Sequence, residues 1–246
     1  MPDKRTHRGA HPEDDELFAA THWPALRAAS ADLAWLLDRG YALRSALAIT
    51  GDRHLLTQRQ RLAVARCACS EEQRMRRRTH ELDAGELAGG ELWIDGYNLL
   101  ITIEAALAGG VILRGRDGAY RDMASLHGTY REVTETGRAA QLIGEAAAGW
   151  QVSRCRWFLD RPVGNSGRLR GVLEELAKRA GWNWEVQLEF SPDRLLAESA
   201  WPVATSDSAV LDRCGRWVNA ACEIVRAAIP AAFILDLSGE LPEPPL

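Results

Sequence analysis

The sequence predicts an α/β fold, with helices on both faces of a mainly parallel sheet and a small all-helical domain in front of it. Two patterns carry this expectation. Through residue 82 the apolar residues recur only at helical spacing, whereas from Glu91 onward short apolar runs alternate with helical segments, as in βαβ units. A third observation bears on chemistry. Three of the apolar runs stop at a carboxylate: Leu92-Trp93-Ile94-Asp95, Trp157-Phe158-Leu159-Asp160 and Pro202-Val203-Ala204-Thr205-Ser206-Asp207.

In chain order, Leu26, Ala29, Leu33, Leu36 and Leu37 build one stripe on a helix from Trp23 to Leu37, with Gly40 as its stop. Leu43 to Ile49 gives a shorter helix ending at Gly51. A third starts at Thr57-Gln58-Arg59-Gln60, a capping-box pattern, and Ser70-Glu71-Glu72-Gln73 opens a fourth that carries Arg74, Arg76, Arg77 and Arg78. A unit of this size buries little core alone, so it is expected to lean on the rest of the chain.

The glycine-rich stretch 83–90 reads as a linker between a helical domain (1–82) and an α/β domain (91–238), and the proline-rich 239–246 reads as a disordered tail. Within the α/β domain the expected order begins with strand Leu92–Ile94 and helix Leu99–Leu107. An irregular segment with a hairpin near Arg116-Asp117-Gly118 follows, then helix Arg138–Ala148, strand Cys155–Leu159, helix Leu169–Ala180 and strand Trp184–Leu188. A short helix after Ser191-Pro192, strand Val203–Thr205, helix Ala209–Val218, a further helix and a last strand Ala232–Leu237 complete it.

The totals bound the function classes. The chain has 246 residues, 46% hydrophobic and 26% charged, which suits a soluble globular protein, and its net charge of −4 gives no global nucleic-acid signature. The 30 basic residues include only two lysines, Lys4 and Lys178, a skew read as compositional bias. Five scattered cysteines without a CxxC pair indicate neither a disulfide framework nor structural zinc. The polar start and the lack of a long apolar stretch make a cytoplasmic protein the expectation.

In open parallel sheets ligands bind at the carboxyl ends of the strands. Asp95, Asp160 and Asp207 converging there would repel one another unless a cation sat between them, and oxygen-only ligands suit Mg²⁺ or Mn²⁺. Each motif also has a structural reading. In Asp95-Gly96-Tyr97-Asn98, Asp95 binds metal and Asn98 orients a water or the carboxylate, or Asp and a flexible Gly simply make a turn. The loop 161–167 after Asp160 presents N–H groups to a phosphate or merely caps a helix. Asp207 is a metal ligand, a helix N-cap, or both, and Asp212 supports the site or faces solvent.

A local excess of eight arginines over two glutamates between Arg53 and His80 suits either a nucleic-acid backbone or a solvated face. Arg53, Arg59 and Arg61 are the candidate contacts there. His127, Tyr130 and Arg131 combine groups that could stack on a base and grip a phosphate, although lone His and Tyr residues are more often structural.

The set Asp95-Gly96-Tyr97-Asn98, Phe158-Leu159-Asp160, Asp193 and Thr205-Ser206-Asp207 resembles the NYN branch of the PIN-like nucleases, over roughly residues 91–238. The whole chain is also similar to the domain of unknown function family 434, through Arg8 to Asp14, Gly51-Asp52-Arg53 with Arg59-Gln60-Arg61, Ile94 to Leu107, His127 to Arg131 and Ala204 to Ala209. The first resemblance implies a PIN-like three-layer sandwich and a metal-dependent ribonuclease using Asp95, Asp160 and Asp207, with Asp193 as a fourth acidic residue. Asn98 and Asp212 would stand behind them, Mg²⁺ or Mn²⁺ would be the cofactor, and RNA (or DNA) the partner. The alternative is a nucleic-acid-binding protein whose PIN-like domain is degenerate. A haloacid-dehalogenase-like phosphatase is disfavoured, because the second aspartate those enzymes need falls at Tyr97.

Overall fold

The computed structural model describes residues 7–124 and 128–239. Five helices come first: α1 (Asp14–Leu17), α2 (Trp23–Leu37), α3 (Leu43–Arg53), α4 (Gln58–Cys67) and α5 (Glu71–His80). The capping box expected at Thr57 forms, and the helix start at Ser70 proves to be a second one. Thr57 and Ser70 each accept from the backbone N–H three residues on, while the side chains of Gln60 and Gln73 reach back to the cap. Stretch 83–90 holds a single 3₁₀ turn that buries Leu87.

The α/β part then runs β1 (Glu91–Asp95), α6 (Gly96–Leu107), β2 (Ile112–Arg114), β3 (Tyr120–Asp122), α7 (Thr136–Gly149), β4 (Arg154–Asp160), α8 (Ser166–Ala180), β5 (Trp184–Glu189), α9 (Pro192–Ala197), β6 (Val203–Ala204), α10 (Ser208–Leu211), β7 (Trp217–Val218), α11 (Ala220–Ala228) and β8 (Ile234–Asp236). Five strands form an all-parallel sheet in the order β5-β4-β1-β6-β7. Strand alternation sends Leu92, Ile94, Trp157 and Leu159 into the larger core against α6, α7, α8 and α11. Trp93, Phe158, Val203 and Trp217 enter a smaller core with Leu196 of α9 and Val210 and Leu211 of α10. The result is the three-layer α/β sandwich, with the helical region in front, that the sequence predicts.

Two elements differ from expectation. The helix expected over Ala209–Val218 stops at Leu211, and Trp217 and Val218 become the edge strand β7 beside β6. Short apolar runs do not distinguish helix from buried strand. Here the Trp217 indole decides: fully buried, it donates to the Arg77 carbonyl at 2.7 Å, while the Leu82 N–H donates to the Trp217 carbonyl. The last strand, β8, joins not the main sheet but a second one, β3-β2-β8, formed around the hairpin at residues 115–119.

That second sheet answers how the helical region buries its core. Val111, Leu113, Met123, Leu235 and Leu237 share one apolar cluster with Phe18, Leu26, Leu33, Val64 and Cys67. The helices therefore pack on the small sheet.

Candidate functional site

The carboxyl edge of the main sheet positions the site. Strand parity puts Asp95 on the same face as Trp93, and Asp160 on the same face as Phe158, which is the face covered by α9 and α10. Asp95 is buried and caps α6, accepting from the Asn98 N–H at 3.4 Å and from the Thr205 hydroxyl at 2.8 Å. Asn98 Oδ1 in turn accepts from the Ser206 N–H at 2.8 Å and from its hydroxyl at 3.0 Å. The first-strand motif and the Thr205-Ser206-Asp207 motif are thus bonded side chain to side chain. Asp207 caps α10 through the N–H groups of Ala209 and Val210 at 2.8 and 3.1 Å.

Gly96 has a different reason from the flexibility expected of it. A Cβ there would lie 2.5 Å from Leu159 Cδ2 and 2.9 Å from the Phe158 carbonyl oxygen. The residue is glycine because α6 leaves the sheet in contact with β4, and only a missing side chain allows that approach.

Burial and neighbouring charge raise three of the acidic residues. Burial pushes the Asp95 carboxyl up to about 7; the Thr205 hydroxyl opposes this, and the charges of Asp207 and Asp193 add to it. Burial and then Asp193 raise Asp160; burial and then Asp207 raise Asp193, with Arg213 opposing. Asp193 is thus the common neighbour, acting on Asp95 and Asp160 and itself acted on by Asp207.

The tight convergence expected of them is not seen. Among the described residues no three histidine, cysteine or acidic side chains are placed to hold a metal ion. Phe158, not Asp160, lies opposite Asp95, so Asp160 sits diagonally, two residues farther along the neighbouring strand. That separates their Cα atoms by roughly 8 Å, from a rise of ~3.3 Å per residue and a strand spacing of ~4.8 Å.

A buried ion network, which the sequence reading missed, supports the Thr205–Ser208 loop from below. Arg121 grips Asp117 with two bonds of 2.8 and 2.6 Å and donates to the Ser206 carbonyl at 2.9 Å. Arg77 bonds Asp117 at 2.6 Å and Asp212 at 2.7 Å, and reaches the Ser208 carbonyl. Burial alone would raise Asp117, but the two guanidiniums outweigh it and hold its carboxyl at about 2. Asp212 is accordingly an anchor for α5, also bonded by Gln73, rather than a carboxylate turned to the site. The Arg114-Gly115-Arg116-Asp117-Gly118 run held the only sequence signal for this network.

Several expected nucleic-acid contacts are committed elsewhere. Arg59 is paired with both oxygens of buried Asp14. Arg61 covers Gly51 and bonds Asp52 and the Leu56 carbonyl, which is why Gly51-Asp52 and Arg61 occur together. Tyr130 is buried and bonded to Glu104 and Thr136, so it offers no face for a base to stack on. Arg53, beside Asp32, and Arg131 remain exposed, and His127 lies outside the described residues. A cleft of about 230 Å³ between α5, the hairpin and α11 brings Arg74, Arg78, Arg114, Arg116 and Arg226 together with Glu81, Asp117, Glu223 and Asn219, and Arg74 and Arg116 in it also bond Glu71. Asn219 directly follows β7, so this cleft opens beside the same sheet edge as the carboxylates.

Two family models match separate parts of the chain. Residues 84–223 match the family described as "Domain of unknown function (DUF5616)". The chain belongs to the DUF5616 family. Residues 25–80 of this DUF5616 member match "Protein of unknown function (DUF434)", so the similarity to family 434 is supported for the helical region, whereas the whole-chain extent expected of it is corrected: the segments from residue 84 onward fall in the DUF5616 match. It is 27% identical over 187 residues to "Uncharacterized protein MJ0935" of Methanocaldococcus jannaschii, covering 76% of this chain and 89% of that relative. No solved structure matches it. Among its described residues no helix is long and apolar enough to cross a membrane.

Proposed function

We propose that this protein is a divalent-metal-dependent ribonuclease that hydrolyses RNA phosphodiesters at the carboxyl edge of its main sheet. The supporting observation is the grouping of the Asp95, Asp160 and Asp193 carboxyls, each raised by burial first, Asp95 to about 7, and then by a neighbouring acidic charge, a strain that a cation would relieve. The donor set fits Mg²⁺ or Mn²⁺ in type, since it offers carboxylate oxygens and no thiolate or imidazole. Asp95, Asp160 and Asp207 would hold the ion and Asp193 would complete the acidic wall, with the half-buried Asp160 and exposed Asp193 free to turn inward. A metal ion bound there supplies a lowered water pKa and charge neutralisation on the phosphate.

The chain's own groups do the positioning. The Thr205 hydroxyl and the Asn98 N–H fix the Asp95 carboxylate, and Asn98 ties the Ser206 backbone to the start of α6. The cleft beside β7, with five arginines against Glu81, Asp117 and Glu223, would offer the phosphate backbone a surface of net positive charge.

The test is hydrolysis of single-stranded RNA by purified protein across Mg²⁺ and Mn²⁺ concentrations, with Asp95→Asn and Asp207→Asn alongside. Metal-dependent cleavage abolished by either substitution supports the reading. One observation favours a second reading, a nucleic-acid-binding protein without catalysis: Asp207 Oδ1 is engaged as the α10 cap. RNA binding without cleavage under every metal would select that one.

A further inference from the structure

Beside the acidic edge lies an aromatic surface that the chemistry above does not use. Phe190 directly follows β5 and is 69% exposed, although a phenyl ring in water is unfavourable. The Arg161 guanidinium stands over it, 4.9 Å from the ring centroid. Their pairing follows from the register. Asp160 lies opposite Glu189, and the Arg161 N–H donates to the Glu189 carbonyl at 2.7 Å, so the next residues, Arg161 and Phe190, emerge side by side where β4 and β5 end. Arg161 adjoins Asp160 in the chain, and Phe190 precedes Asp193 by three residues, so the pair stands at the same carboxyl end of β4 and β5 from which the Asp160 carboxylate emerges.

From this juxtaposition we infer that Phe190 and Arg161 form a stacking platform for one nucleobase of a single-stranded RNA, next to the phosphodiester held at the carboxylates. The inference rests on the ribonuclease reading and names its substrate class. Aromatic rings and guanidinium planes stack on bases that are splayed out of a helix, and duplex bases are already stacked on each other. Arg161 adds a cation within reach of the adjoining phosphate. An exposed phenyl group needs no partner for folding, so its substitution isolates binding.

The experiment uses full-length protein carrying Phe190→Ala, Phe190→Trp or Arg161→Ala. Fluorescence anisotropy with a labelled single-stranded oligoribonucleotide, without metal, reads affinity. Mn²⁺-dependent hydrolysis of bis(p-nitrophenyl) phosphate, which has no base, reads the acidic edge separately. Phe190→Ala is expected to weaken RNA binding by about ten- to a hundredfold, from the usual contribution of one stacked base. Phe190→Trp should bind as tightly as wild type, a duplex RNA should show little discrimination between wild type and Phe190→Ala, and hydrolysis of the small diester should be unchanged. Wild-type affinity in Phe190→Ala overturns the platform while leaving the ribonuclease reading intact. A wild-type protein that neither binds RNA nor hydrolyses the small diester overturns both.

Discussion

Replacing Asp95 by Asn tests the site without any assumption about substrate. Asparagine keeps the size of the side chain and can still accept the Thr205 hydroxyl, losing only the long 3.4 Å contact to the Asn98 N–H. It removes a carboxyl group whose pKa burial pushes from 3.8 to about 7. A group with a raised folded-state pKa contributes its full stability below its unfolded value, near 4, and loses it as pH rises through about 7. In metal-free wild type this costs on the order of 4 kcal/mol between those limits, at 1.36 kcal/mol per pKa unit over roughly three units. The asparagine variant carries no such loss. Urea unfolding in EDTA should therefore show the variant gaining stability on wild type between pH 5 and pH 8, by a few kcal/mol at most, with little difference at the acid end. An identical difference at both pH values would mean that Asp95 is not a buried carboxyl under strain, and the electrostatic argument for the site would collapse.

Other outcomes follow from the same contacts. Asp207→Asn should lower Mn²⁺-dependent RNA hydrolysis by orders of magnitude while costing under about 1 kcal/mol of stability, because asparagine also caps helices well; equal activity in wild type and variant would remove Asp207 from the site. Gly96→Ala should destabilise the fold by about 1–3 kcal/mol in thermal or urea unfolding, since the new methyl meets the Phe158 carbonyl oxygen and Leu159; an unchanged midpoint would contradict the close approach of α6 to β4. Arg77→Met should cost about 3–5 kcal/mol by leaving Asp117 and Asp212 short of a partner, and the loss should shrink as pH falls toward 2, where Asp117 protonates. Arg59→Ala should likewise reduce stability by exposing the charge of buried Asp14, yet leave RNA affinity and its salt dependence as in wild type, which anisotropy at several salt concentrations would check.

The patterns legible in the sequence were those governed by neighbouring residues. Thr57 with Gln60 and Ser70 with Gln73 marked two helix starts because a capping box closes within one turn. Leu92 to Asp95 and Trp157 to Asp160 were readable as strands because a parallel strand covered on both faces needs a continuous apolar run. Their terminal aspartates pointed to the carboxyl edge for the same reason. Trp217 and Val218 were not readable, since the same apolar residues satisfy a helix until a neighbouring strand and the Arg77 carbonyl claim them.

By itself, then, the sequence determined the order of the main elements from α2 to β6, the parallel pairing of the main sheet and the edge at which Asp95, Asp160 and Asp207 appear, because spacing and capping are local. Tertiary structure alone decided the rest. Register placed Asp160 diagonally from Asp95 instead of beside it, and packing sent Tyr130 inward and left Phe190 out. Long-range pairing assigned Arg59 to Asp14 and Arg77 to Asp117, partners 45 and 40 residues apart. Whether an arginine binds a ligand or holds the fold depends on which carboxylate arrives next to it, and that is settled only when distant segments pack together.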